Sequence, residues 1–156
     1  MNKDCLIIVF TVICLLLSPA LKAQNNAELT SVKVTGKVTS PLDLNLNDFN
    51  QFKQSQVIRK DKAGEDHTYS GVLSSAILMK AGVTLGKALR GKNLAKYVLV
   101  EASDGYKVVF AVTELDQGFT ERTIILADKM DGTPLPKGDG PFHIIVQDEK
   151  IPARGI

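Results

Sequence analysis

Four consecutive residues, Gly138, Asp139, Gly140 and Pro141, are the types best suited to close contact with a ligand. Glycine has no side chain, so backbone amides in such a segment can approach an anionic group closely. Lys137 precedes the segment and could add a positive charge. The alternative is a plain turn ahead of a strand, because Gly and Pro are common in turns. The segment therefore indicates either an anion-binding loop or an ordinary turn.

Histidine is the other residue type here that could do chemistry, and the chain contains two. His67 could bind a metal, but it stands between Asp66 and Thr68 in a polar stretch with no second ligand suitably spaced, which favours a solvated loop residue. His143 lies 76 positions further on, and neither histidine has a serine partner that the sequence identifies. The sequence contains no G-x-S-x-G, H-E-x-x-H or Gly-Lys-Ser/Thr motif. It therefore predicts no metal site.

Residues 1–23 have the pattern of a cleavable secretory signal peptide. Lys3 precedes an apolar run over residues 6–17, Ser18 and Pro19 follow, and Ala23 is a suitable cleavage point. The run is too short to span a bilayer, for which roughly 20 residues are needed. We therefore expect a periplasmic or secreted protein with no membrane contact after cleavage. The leader has no arginine pair, which is typical of export in the unfolded state.

Both cysteines, Cys5 and Cys14, lie in this leader, so the mature chain has no thiol for a disulfide or a metal. Without the leader, 17 basic and 16 acidic residues remain, and the basic ones are scattered. This balance makes nucleic-acid binding improbable. The 133 mature residues suffice for one domain, preceded by a short polar linker over residues 24–30.

The patterning of the mature chain predicts a mixed α+β domain of antiparallel strands with a few short helices. We expect strands over residues 32–38, 42–46, 56–59, 123–127 and 142–146, with a polar turn over residues 60–66. We expect a helix over residues 73–81 capped by Gly82, a second over 85–90, and a helical turn over 112–116.

A β-hairpin is the clearest local signal. Residues 97–102 and 106–111 are β-rich, and Asp104 with Gly105 could supply the two positive-φ positions of a tight primed turn. Asp104 has a sufficient role there, since Asp tolerates that conformation. Tyr106 follows the turn and shares a strand face with Val108 and Phe110, which is consistent with core packing of its ring.

Three segments together resemble one known family. They read YSGVLSSAILMKAGV over residues 69–83, ASDGYKVVF over 102–110, and IILADKMDGTPLPKGDGPFHIIV over 124–146. In this order they resemble the molybdopterin-binding domain of the sulfite-oxidase family, and most closely its small stand-alone members. The resemblance implies the sulfite-oxidase-type fold over residues 31–156. Such members usually continue beyond the Pro152-Ala153-Arg154 segment, so we expect the family's last strand to be missing.

The resemblance also implies a chemistry that this chain does not fully match. Catalytic members bind molybdenum through a pterin cofactor and one protein thiolate, which by chain order would fall near residues 54–62, where no cysteine is found. Tyr106 matches the family's active-site tyrosine. His143 stands where many relatives have an arginine that grips the cofactor phosphate, and a histidine does so less strongly at neutral pH.

For the cofactor, the resemblance implies molybdopterin. Because the metal-binding thiolate is missing, the alternative is that the chain binds no cofactor. Its binding residues would be Asp104, Gly138, Gly140, Pro141 and His143, with Lys137, Arg154, Arg90 or Lys92 as cationic candidates. Each lysine or arginine is equally well explained as a solvated surface charge.

We therefore expect an exported protein of the oxidoreductase family that is not catalytic alone. The alternatives are a metal-free module that binds a small anionic or pterin-like ligand, a protein-interaction module, a redox subunit completed by a partner protein, and a purely structural role. The ligand-binding alternative predicts a pocket between the hairpin at Asp104 and the loop over residues 138–141. The structural one predicts that Phe142 and Tyr106 fill this groove.

Overall fold

A computed structural model describes residues 31–61 and 63–156. The predicted signal peptide and the linker over residues 24–30 lie outside the described residues. Within the described ranges, every strand pairing is antiparallel and the helices are short, which confirms the predicted α+β class. None of the helices in this part of the chain is long and apolar enough to cross a membrane.

Five strands form the main sheet: β3 (Gln54–Lys60), β4 (Asp66–Leu73), β7 (Ile124–Met130), β8 (Thr133–Pro134) and β9 (His143–Val146). They follow the order β3, β4, β7, with both β8 and β9 pairing on the far side of β7. The central strand β7 begins with the buried run Ile124, Ile125, Leu126 and Ala127. Successive side chains of a strand point to opposite faces of the sheet, so both faces of β7 are covered here. Such a continuous buried run predicts a central strand.

The sequence-based prediction missed β4, since it ended the residue 56–59 strand in a polar turn and began the next element as a helix. Gly71 lies within β4, and strands usually exclude glycine. A Cβ on Gly71 would clash with the backbone of Leu126 and Ala127, and the register of β4 with β7 shifts between Ser70 and Gly71. The glycine therefore marks a bulge with close backbone approach.

A β-hairpin, β1 (Ser31–Val34) with β2 (Leu42–Asn45), precedes the main sheet. Strand β1 ends earlier than residue 38 because Gly36 adopts a φ of +96°. Strand β2 ends at Asn45, whose side chain caps helix α1 (Leu46–Phe49) in a capping box with Asp48.

Helix α2 (Ser74–Lys80) confirms the helix predicted over residues 73–81, and Gly82 follows it with a φ of +80°. The second predicted helix, over residues 85–90, is wrong in type. Two short 3₁₀ turns, Gly86–Ala88 and Gly91–Ala95, take its place, and both start at glycines with positive φ. Helix α3 (Val112–Leu115) is the predicted helical turn.

The second hairpin, β5 (Tyr97–Glu101) with β6 (Lys107–Ala111), confirms the clearest sequence signal. Its turn differs from the prediction, because only Gly105 has a positive φ. The Gly105 amide donates to the Ala102 carbonyl oxygen, and the Ala102 amide donates to the Tyr106 carbonyl oxygen. These bonds form a three-residue loop with glycine in the left-handed position. Two consecutive positive φ values occur instead at Asp131 and Gly132, between β7 and β8.

The main core lies between one face of the five-stranded sheet and the two hairpins with α1 and α2. Its fully buried members include Phe49, Val72, Phe110 and Val146. Leu126 and Ile144 contribute from the sheet. The opposite sheet face carries a smaller buried cluster formed by Val57, Tyr69, Ile125, Ala127 and Ile145. This sandwich fixes the β5–β6 hairpin beside the loop that precedes β9.

Candidate functional site

A cavity of about 750 Å³ lies where the tip of the β5–β6 hairpin faces the loop before β9. We call it the hairpin cavity. Asp104 and Tyr106 line it from the hairpin, and Gly138 and Gly140 line it from the loop. This is the place where the ligand-binding alternative expected a pocket.

The walls of the hairpin cavity are largely apolar side chains from the core and from the inner faces of both hairpins. They comprise Val32, Val34, Ile77, Leu78, Val98, Val100, Phe110, Leu115, Ile124, Leu126, Phe142, Ile144 and Ile156. Such walls suit the apolar body of a small organic molecule.

One buried polar side chain interrupts these walls. Ser74, the first residue of α2, lines the cavity with 8% of its surface exposed, and its hydroxyl has no hydrogen-bond partner among the described residues. A buried hydroxyl without a partner costs about 1–3 kcal/mol. The cavity wall therefore includes a residue whose hydroxyl forms no hydrogen bond within the described part of the protein.

The mouth of the cavity is acidic. Its charged side chains are Lys33, Glu101, Asp104 and Asp139, all exposed. Lys33 lies 3.8 Å from Asp43, and Glu101 lies 3.1 Å from Lys107. Neither Asp104 nor Asp139 forms an ion pair within residues 31–61 and 63–156.

The strand pattern suggested that Tyr106 packs in the core, but its side chain is 51% exposed. It precedes β6 rather than lying in it, and its hydroxyl donates to the Ala153 carbonyl oxygen at 3.0 Å. The Tyr106 amide donates to Asp104 Oδ1 at 2.9 Å. The tyrosine therefore joins the hairpin tip to the C-terminal segment at the cavity mouth and does not fill the groove.

The loop over residues 138–141 is shaped by its glycines. Gly138 adopts a φ of +105°, a conformation that side chains disfavour, and space is open where its Cβ would lie. A Cβ on Gly140 would press on Leu135 at 3.1 Å, so this glycine allows the loop to pack on itself. Pro141 does not line the hairpin cavity.

His143 begins β9 and lines the hairpin cavity. Burial lowers the pKa of His143, and the nearby positive charge of Arg59 lowers this pKa further. The imidazole is therefore neutral near pH 7 and offers no permanent charge to an anion.

Arg59 is a cation that the sequence reasoning overlooked. Its guanidinium lies 5.0 Å from the centroid of the Tyr69 ring, and its Nε and Nη1 are buried without a partner among the described residues. A Cβ on Gly155 would lie 3.0 Å from both Arg59 Nη1 and His143 Nε2. The C-terminal segment therefore lies against both groups, and Arg59 itself does not line the cavity.

The expected cationic residues do not meet at the hairpin cavity. Arg154 Nε donates to Glu149 at 2.6 Å and its Nη1 donates to Glu114 at 3.0 Å, and its guanidinium lies over the Phe110 ring. The bond to Glu149 is the main reason why the pKa of Arg154 is raised. This arginine is thus committed to structural contacts. Arg90 and Lys92 are exposed and do not line this cavity.

Lys137 lines a second, more open cavity of about 930 Å³ beyond the same loop. We call it the proline cavity, because Pro134, Pro136 and Pro141 line it. Asp128 also lines it, buried to 7% exposure, with Oδ1 unpartnered in the described part of the chain. Gly138 and Gly140 line both cavities.

His67 lies away from both cavities. Its Nδ1 lies 2.6 Å from Asp131 Oδ2, and its Nε2 lies 3.6 Å from Asp61 Oδ2. The hydrogen bond to Asp131 raises the pKa of His67. No group of three or more His, Cys, Asp or Glu side chains in the described ranges is arranged to hold a metal ion. Through its contact with Asp131, His67 links β4 to the turn after β7.

Sequence reasoning missed the cavity's β1 side, its buried hydroxyl and the acid Glu101. No local motif marks these positions, because they come together only through packing of the hairpins. The segment where a thiolate was expected forms β3, and none of its described residues lines the hairpin cavity.

Two comparisons with known proteins found similarity. A family model described as the oxidoreductase molybdopterin binding domain matches residues 20–148. The crystal structure of the sulfane dehydrogenase SoxCD from Paracoccus pantotrophus is similar to this chain, with a TM-score of 0.56 and 19% identity. That match covers 74% of this chain and 33% of the other, so this chain spans about a third of its length. Among curated proteins, none matches significantly.

Proposed function

The chain belongs to the oxidoreductase molybdopterin-binding domain family, and from this premise we propose that it is an exported member that binds a small organic molecule without metal. We further propose that it does not catalyse molybdenum oxidation by itself. The observation that carries the proposal is the hairpin cavity, which has apolar walls, one unpartnered buried hydroxyl and an acidic mouth.

The side chains around this cavity do not fit molybdopterin, whose dithiolene sulfurs and phosphate are anionic. A soft metal is best held by thiolate sulfur, and the chain's cysteines are confined to positions 5 and 14. Phosphate is best held by arginine, whereas the charged residues at this mouth are three carboxylates and Lys33.

Export is supported by the leader. An unfolded chain that crossed a membrane would arrive without a cofactor that is assembled in the cytoplasm, so unfolded export and a metal-free domain are mutually consistent. We accordingly place the working protein in the periplasm or outside the cell.

The second candidate function is protein interaction, which one specific surface favours. The outer face of the β5–β6 hairpin exposes Tyr97, Leu99 and Val109, at 66%, 52% and 53% of their surfaces. Leu99 and Val109 are direct cross-strand partners, so these side chains form one apolar stripe. A partner bound there could be a redox subunit that supplies the missing metal ligand.

The test of the first candidate is an analysis of mature protein recovered from its native compartment. Molybdenum and tungsten are measured by elemental analysis, pterin by fluorescence after acid release, and other small molecules by mass spectrometry of a denatured extract. We expect folded protein free of metal and pterin, with an organic molecule in the extract. Stoichiometric metal with pterin would refute the proposal.

The second candidate is separated from the first in the same preparation. A redox subunit predicts that a metal-bearing protein co-purifies and is lost on Tyr97→Asn with Val109→Asn, two substitutions at residues that do not line the hairpin cavity. The matched control is Ile58→Asn, because Ile58 is 60% exposed on the edge strand β3. Loss of the partner with the control variant as well would mean that the stripe is not the interface.

A further inference from the structure

We propose that the ligand of the hairpin cavity is an amphipathic organic cation, with an apolar body against the walls, a hydrogen-bonding group at Ser74 and a positive charge at the mouth. This inference rests on the proposed ligand-binding function and specifies its ligand. It differs from the small anionic or pterin-like ligand that the family resemblance implied.

The apolar walls require an apolar body. A molecule without one would leave the half-buried side chains of Val32, Val98 and Val100 facing water inside the cavity. Ligand sites in proteins are typically apolar with a few polar groups that fix the orientation of the ligand. Here those groups are separated, with the hydroxyl buried and the carboxylates exposed.

Ser74 gives the ligand a fixed buried end. Its hydroxyl can donate one hydrogen bond and accept two, yet it makes none with the described residues. A ligand group that bonds this hydroxyl would satisfy it, whereas a purely apolar ligand would leave it without a partner, at a cost of about 1–3 kcal/mol. The buried end of the ligand therefore carries an N–H, hydroxyl or carbonyl group.

The charged side chains at the cavity mouth determine which charge the exposed end of the ligand should carry. Two of the mouth's four charged side chains, Lys33 and Glu101, lie near opposite charges on neighbouring strands. The remaining two, Asp104 and Asp139, are carboxylates without an ion-pair partner in the described part of the chain. An ammonium at the mouth would be attracted to both, and a sulfonate or phosphate repelled by both.

Three fluorescent probes with one shared skeleton test the proposal. Phenylnaphthylamine is neutral, anilinonaphthalene sulfonate is anionic, and naphthylethylenediamine carries an ammonium group. All three have an arylamine N–H that can form a hydrogen bond with a hydroxyl. We expect titration of the mature protein at low salt to rank their affinities as cation, then neutral, then anion, with salt weakening the preference.

Carboxamide variants test the mouth. Asp104→Asn keeps the oxygen that accepts from the Tyr106 amide, so it removes the charge and preserves the turn. With Asp139→Asn added, we expect the ratio of cation to anion affinity to fall by roughly fivefold per carboxylate, the upper range for exposed charges. Glu65→Gln is the matched control, because Glu65 is exposed and lines neither cavity. This control should leave the ratio unchanged.

Ser74→Ala tests the buried end. In the free protein this substitution removes an unsatisfied hydroxyl, so we expect the unfolding midpoint to be unchanged or raised. Affinity for all three probes should nevertheless fall, by about threefold to tenfold, the range for one lost hydrogen bond. If the Ser74 hydroxyl had a merely structural role, its removal would lower stability and leave the probe affinities unchanged.

The outcomes separate this inference from the proposed function. Equal affinity for the three probes, unaltered by the carboxamide variants, would overturn the charge inference and leave ligand binding standing. Binding of none of them would overturn both. The site of binding is read from amide chemical shifts, which should change at Gly138 and Asp104 and not at Glu65. Shifts confined to another surface would also overturn the inference.

Discussion

The ring of Phe49 meets the ring of Phe142 edge to face, with their centroids 5.1 Å apart and their planes inclined by 63°. Phe49 is fully buried at the end of α1, and Phe142 immediately precedes β9 and lines the hairpin cavity. This contact fixes the end of the glycine loop against the core.

Phe49→Ala should destabilise the protein by about 3–5 kcal/mol, because it removes a buried aromatic ring and leaves a void. Urea unfolding followed by circular dichroism measures the change. Phe119→Ala is the matched control, since Phe119 is 50% exposed, and it should cost less than about 0.5 kcal/mol. A similar cost for both variants would contradict the central position of Phe49.

The two histidines should give stability opposite dependences on pH. The pKa of His67 is raised in the folded state, chiefly by its hydrogen bond to Asp131, so its stabilising effect is complete below its unfolded value and is lost as pH rises through the folded value. The pKa of His143 is lowered by burial, so its unfolded state binds more protons and stability increases with pH.

Single variants should separate these opposite contributions around pH 6.5, the unperturbed histidine pKa. We expect His67→Asn to become more stable as pH rises from about 5.5 to about 7.5, and His143→Asn to become less stable over the same range. Urea midpoints across this range measure both slopes. Slopes of the same sign in the two variants would show that one of the assigned environments is incorrect.

Arg154→Met should destabilise the protein by about 2 kcal/mol, although the family resemblance offered this residue for cofactor binding. The substitution leaves the Glu149 carboxylate, 12% exposed, without its partner. The Glu114 carboxylate is 42% exposed, so its share of the loss should be below about 1 kcal/mol. Double-mutant cycles with Glu149→Gln and Glu114→Gln measure the two couplings. A negligible coupling to Glu149 would contradict the structural role.

Gly71→Ala should prevent folding or reduce soluble yield severely, because the added methyl group would collide with the backbone of Leu126 and Ala127. Ser70→Ala, one residue earlier in the same strand, is the control and should fold normally. Circular dichroism and yield from a parallel expression provide the comparison. Normal folding of Gly71→Ala would mean that β4 and β7 are further apart than the structure places them.

The sequence predicted those elements whose signals are local. Helix α2 and the β5–β6 hairpin follow from apolar spacing and turn residues, and the structure confirms both. Strand β4 was missed because it contains Gly71, a residue type that is unusual in strands. This glycine is needed because the backbone of β7, more than fifty residues away along the chain, lies too close for a side chain. Turn type was misassigned at Asp104 because an Asp-Gly pair suits two different loops and only strand register decides between them.

The site was only partly predictable for a similar reason. The hairpin tip and the glycine loop, between which the ligand-binding alternative expected a pocket, line one cavity. The cation candidates could not be judged from sequence, since the carboxylates that engage Arg154 lie 5 and 40 positions away. Ser74 carries no motif, and its unused hydroxyl depends entirely on what packs around it.

The loop that contains Gly138 and Gly140 is a shared partition, with the hairpin cavity on one side and the proline cavity on the other. Displacement of this partition towards one compartment takes space from the other. If a ligand in one compartment moved this loop, the affinity of the other compartment for its own ligand would change, and by thermodynamic linkage the effect would be reciprocal. A shift of this one loop, with no rearrangement of the strands, would then change the shape of both cavities.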